Sequence, residues 1–140
     1  MNLYLGAILL TITGNVAYHV LNKSVAPNAH PFASLVVTYA IALAGSLAIL
    51  AFDTRAGVGT ALGGVNWASY VLGIAVVSLE LGFLLAYRAG WALSLAAVYS
   101  NVAVGMLLLP VGILLYRESL NSANLAGLVL ALISLLLMTR

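Results

Sequence analysis

The chain has 140 residues, of which 64% are apolar and only 6% charged, five basic and three acidic. Water-soluble domains carry about 25% charged residues, so this composition excludes an ordinary cytosolic enzyme or a disordered chain. A net charge of +2 with singly scattered basic residues excludes a nucleic-acid surface, and the lack of Cys removes disulfides, thiolate metal sites and thiol nucleophiles.

An integral membrane protein remains. A bilayer core about 30 Å thick needs roughly 20 apolar residues of helix. Five stretches meet that need, giving an all-α, polytopic chain of five transmembrane helices in a single domain, 1–140. The apolar runs are continuous rather than alternating, which argues against a β-barrel.

The first span is Leu3–Leu21, stopping at Asn22-Lys23. It lacks a basic start and a small-residue cleavage pattern, and Asn, Thr and His interrupt it, so it does not read as a signal peptide. Thr11, Asn15, Tyr18 and Asn22 recur at helical spacing and form one stripe, with Gly14 and His19 beside it. Such groups either glue helices together through hydrogen bonds or line a cavity. Pro27 and Pro31 punctuate the loop that follows. His19 and His30 on either side of it read as interfacial residues, and no metal or other cofactor is expected.

The second span is Phe32–Phe52, closed by Asp53-Thr54-Arg55, with a Gly-rich loop from Ala56 to Gly64 after it. The third is Trp67–Tyr87, closed by Arg88. It carries Glu80, the one acid well inside a span, roughly 10 Å from a boundary at 1.5 Å per residue. Ser69, Gly73, Glu80 and Tyr87 share a face. A carboxyl at that depth can exchange a proton or attract a cation; it can also serve as a structural partner for a neighbouring helix. Arg88 lies about 12 Å further along the axis, too far for a direct bond to Glu80, and is expected to reach the interface.

The fourth span, Trp91–Tyr116, ends at Arg117-Glu118 and carries Ser94, Tyr99, Ser100 and Asn101. Ser94, Ala97, Asn101 and Gly105 share a face of small and polar residues that lets a helix or ligand approach. Pro110 frees the carbonyl of Met106 and predicts a kink. The fifth span, Leu120–Met138, holds Gly127 among aliphatic residues and reads as a lipid-facing or subunit-packing helix. Asn121 or Ser119 is placed to cap it. Tyr4, Trp67, Tyr70, Tyr87, Trp91 and Tyr116 lie near the span ends, where headgroups favour amphipathic rings.

Five spans put the termini on opposite sides. Arg55 and Arg117 fall on one side, Lys23, Arg88 and Arg140 on the other. Orientation follows the Lys/Arg excess, and this near-tie leaves two readings: one topology fixed by other signals, or insertion both ways round, with an inverted copy as partner.

Two segments resemble a known family. Tyr116-Arg117-Glu118-Ser119-Leu120-Asn121, followed by Gly127 in a Leu-rich helix, is similar to the closing segment of the drug/metabolite transporter superfamily, EamA-like branch. Ala86-Tyr87-Arg88-Ala89-Gly90-Trp91-Ala92-Leu93-Ser94 resembles its link between third and fourth helices. The resemblance implies a transporter of small metabolites or drugs in the inner membrane of a prokaryote, built from two inverted five-span halves of which this chain supplies one. A homodimer of antiparallel subunits, or a related half-transporter, would complete it. The family's fourth helix commonly has an earlier proline than Pro110; Ser100-Asn101 stands there instead, so its site details do not carry over. Glu118 is the acid of the motif and reads as a loop cap or a partner of Arg117.

The leading functional expectation is a secondary transporter of a small-molecule substrate, working by ion coupling or facilitation, with lipid around it. Glu80, Asn15, Tyr18, Ser94 and Asn101 would line the cavity. Tyr99 and Trp91 would meet an apolar or cationic substrate. The alternative is a non-transporting membrane subunit, or half of a heteromeric transporter, that buries the same polar groups in an interface. A membrane enzyme lacks clustered acid, base or metal residues, and a channel lacks a filter or ring motif.

Overall fold

The computed structural model describes residues 3–53, 57–117, 119 and 121–138. Arg55, Glu118, Leu120 and Arg140, on which parts of the topology and motif readings fall, lie outside the described residues. Among the described residues the chain is helical without strands: α1 Leu3–Ser24, α2 Pro31–Asp53, α3 Val58–Leu62, α4 Trp67–Arg88, α5 Leu93–Tyr116 and α6 Ser122–Met138. Four of these, α1, α2, α4 and α5, are long and apolar enough to cross a membrane. At 22 to 24 residues they are about 33–36 Å long.

Two sequence expectations change. The Gly-rich loop contains a short helix, α3, entered through Gly57 at φ 89°, a left-handed backbone that suits glycine. The last helix has 17 residues, about 25 Å, and falls short of a 30 Å core. Its start is set by Asn121, whose Oδ1 accepts a hydrogen bond from the Asn124 amide at 2.8 Å. That is the N-cap geometry, and it satisfies one of the four amides a helix start leaves open. Asn66 caps α4 in the same way, accepting from the Ala68 amide at 3.1 Å. Helix α5 continues through Pro110 to Tyr116, and Arg117 ends it in the left-handed region at φ 54°.

Hydroxyls inside the spans are largely satisfied by their own helix. Thr11 donates to the Ala7 carbonyl, Thr13 to Leu9, Ser46 to Ala42 and Ser78 to Ile74, at 2.8–3.0 Å. Hydrocarbon offers no water, so a hydroxyl turns back to the preceding turn.

The chain divides into two compact units, Met1–Ala89 and Gly90–Arg140. In the first, α4 packs against both α1 and α2. His19 of α1, Leu35 of α2 and Leu84 and Tyr87 of α4 are its buried residues. In the second, α5 packs against α6, and Ala96, Gly112 and Leu135 are buried.

Candidate functional site

The first unit gathers polar groups where α1, α2 and α4 meet. On α1, Tyr18, Leu21 and Asn22 recur one turn apart on one face, continued by Val25 just beyond the helix. On α2, Ser34, Leu35 and Thr38 do the same, and α4 contributes Glu80 and Leu84. Together they line a cavity of about 230 Å³. Tyr39 is a close neighbour of Glu80, and Tyr18 lies near both Glu80 and Asn22. Tyr18 lies within side-chain hydrogen-bond reach of Asn22, and Tyr39 within reach of Glu80. Tyr18 Oη, Asn22 Oδ1, Tyr39 Oη and Glu80 Oε2 are all shielded from solvent, yet none completes a hydrogen bond of good geometry. A buried polar atom left in that condition costs about 1–3 kcal/mol, so four of them mark a place where stability gives way to another requirement.

A second, more open groove of about 390 Å³ lies between α2 and α4, lined by Tyr39, Ser69, Leu72, Gly73, Val76 and Val77. Tyr39 therefore stands between this groove and Glu80. Ser69, Gly73 and Glu80 fall on one face of α4, as their spacing predicts, and that face borders both cavities.

Near the other end of α4, Tyr87 Oη and His19 Nδ1 are hydrogen-bonded at 2.8 Å in a buried contact. Phe83 sits edge-on to His19, with centroids 4.6 Å apart, and edge-on to Tyr18 at 5.9 Å. His19 is 7% exposed, and both His19 and Tyr87 belong to the α1–α4 contact. Tyr4, Trp67, Tyr70 and Tyr116 are exposed, as a belt requires. Arg88 also has a more specific task than reaching the interface. Its Nη2 donates to the Ala29 carbonyl at 2.8 Å and to the Ala26 carbonyl at 3.3 Å, fastening the loop between α1 and α2.

The expected site residues thus separate. Tyr18 and Glu80 come together. Asn15, from the same stripe, is exposed and lines neither cavity. Thr11 uses its hydroxyl within α1. Ser94, Tyr99 and Asn101 lie on α5 in the second unit and are exposed; Tyr99 packs edge-on to Trp91, with centroids 5.8 Å apart. The sequence reading missed Ser34, Thr38 and Tyr39. Ser34 and Thr38 are spaced one helical turn apart in a span otherwise nearly all aliphatic, a signal that was available. Among the described residues no three His, Asp or Glu side chains converge to hold a metal ion. The chemistry on offer is that of one carboxyl with phenols, an amide and hydroxyls.

No family model, curated protein or solved structure matches the chain.

Proposed function

We propose that this chain is one half of a secondary transporter that carries a small metabolite or drug-like molecule across the inner membrane, working as an antiparallel pair. The observation that carries this reading is Glu80: a carboxylate oxygen without a hydrogen-bond partner, on the wall of a cavity between three membrane-length helices. Intramembrane carboxyls are costly and mark ion or substrate pathways. A group that must alternately hold a proton and release it cannot be locked into a permanent bond. Tyr18, Asn22 and Tyr39 supply a polar surround that can receive either form.

Three features support completion by a second copy. Asn15 on α1 and Ser94 and Asn101 on α5 present polar side chains at exposed positions of apolar helices, where lipid would be a poor neighbour and another protein face a good one. The near-tied positive charges favour neither insertion direction. The two segments similar to the EamA-like branch point to a five-span half, with α6 as the fifth span; a helix about 25 Å long crosses by local thinning of the bilayer.

Reconstitution of the purified protein into liposomes, with an imposed pH gradient and a panel of small metabolites and drug-like cations, tests the reading. Uptake or efflux that follows the gradient is expected. Glu80→Gln should reduce it to the level of empty liposomes while circular dichroism remains that of the parent. Absence of transport by the parent across the panel would instead favour a non-transporting subunit, and undiminished transport by Glu80→Gln would remove the carboxyl from the mechanism.

A further inference from the structure

At the end where α1 and α4 finish there is a third cavity, of about 260 Å³, whose walls include Asn22, Lys23, Pro27, Leu84, Tyr87 and Arg88. Its lining holds two cationic residues and no acid. Both cations occupy the last turn of their helices, which places them at one membrane boundary. The Lys23 ammonium stands 5.7 Å from the centre of the Tyr87 ring. The Arg88 guanidinium is oriented from outside the cavity: Nη2 is held by the Ala26 and Ala29 carbonyls. Arg88 Nε, by contrast, is buried and donates to nothing. A guanidinium fixed on one edge, with a shielded donor left over, is prepared for an anionic acceptor. Phosphate oxygens suit it because they accept in the plane of the guanidinium fork. A basic pocket between helices at headgroup depth matches the phosphate of a lipid better than a free ion.

We infer that this cavity binds the headgroup phosphate of an anionic phospholipid, with Arg88 Nε donating to a phosphate oxygen and Lys23 supplying the second positive charge. The cavity does not include Glu80, although Asn22 and Leu84 line both cavities, and the inference does not depend on transport. A bound phosphate there would join α1, α4 and the loop between α1 and α2, so it would also steady the end of the bundle that Arg88 already fastens.

Native mass spectrometry of the purified full chain, released from nanodiscs of mixed phosphatidylglycerol and phosphatidylcholine, reads the site directly. The parent should retain one phosphatidylglycerol per chain in preference to phosphatidylcholine. Each cation removed should weaken that preference by about fivefold, in Lys23→Gln and in Arg88→Gln, and the double variant should lose it. Arg88→Lys keeps the charge without Nε and should fall below the parent. Arg117→Gln, an exposed cation outside the cavity, should retain the lipid as the parent does. If Arg88→Gln fails to fold, Lys23→Gln and Arg88→Lys still decide. Equal retention of the two lipids by the parent, unchanged preference in Lys23→Gln and Arg88→Lys, or an equal loss in Arg117→Gln would overturn the proposal. Displacement of the lipid by inorganic phosphate at matching concentration would overturn the assignment to a lipid.

Discussion

In the unit Met1–Ala89, His19, Tyr18, Tyr39, Tyr87, Asn22 and Glu80 are buried or half-buried where three helices meet. In the unit Gly90–Arg140, the polar residues Ser94, Tyr99 and Asn101 are exposed on α5 of a two-helix hairpin. Both units draw on the same aliphatic alphabet, so the contrast comes from geometry. Three helices can enclose a cavity between them; two can only share a seam. The polar groups of the first unit therefore have an interior to face, whereas those of the second await a neighbour.

Substitutions can break that contrast or sharpen it. The largest effect is expected at Glu80, where loss of the carboxyl should end gradient-driven transport in a folded protein. Next comes the packing of the three-helix unit. Leu84 is 3% exposed between the polar cavities, and Leu114 on α5 is 76% exposed. Leu84→Ala should lower stability by about 2–4 kcal/mol, whereas Leu114→Ala should stay within about 0.5 kcal/mol. Thermal unfolding in one detergent compares them. Equal losses would mean that α5 is as tightly covered as α4, and the contrast would fail.

A smaller effect belongs to the His19–Tyr87 bond. Tyr87→Phe keeps the ring and its contact with Phe83 but leaves His19 Nδ1 buried without its partner, costing about 1–3 kcal/mol. The same measurement reads it, and His19→Phe paired with Tyr87→Phe in a double-mutant cycle should recover about 1 kcal/mol of coupling. A coupling of zero would mean that the bond holds nothing together. The smallest expected effect lies in the hairpin: Asn121→Ala removes the α6 cap and should cost about 1 kcal/mol, visible as faster amide exchange at the start of α6 with transport unchanged.

Much of this fold is written in local pattern. The four membrane-length helices lie within three residues of where the apolar runs place them, because charged or small residues end each run. Asn121 as a cap follows from residue type and position alone. The Glu80 face is legible too, since helical spacing fixes which residues share a side. Other features were not legible. Nothing local says that His19 meets Tyr87, that Arg88 fastens the loop carbonyls of Ala26 and Ala29, or that Ser34, Thr38 and Tyr39 of α2 close the cavity around Glu80. Nor does spacing reveal that Thr11 bonds back to Ala7 while Tyr18, on the same stripe, turns to the cavity.

The physical reason lies in the solvent. In water, an apolar stripe tells which side of a helix faces inward. In a bilayer the lipid tails are as apolar as the interior, so hydropathy identifies a span without giving its rotation. Composition and periodicity by themselves determined that this chain has helices long and apolar enough to cross a membrane, one of them bearing Glu80. Which side chains meet that carboxyl, which polar atoms are left without partners, and which cations share a pocket were decided only when α1, α2 and α4 packed together.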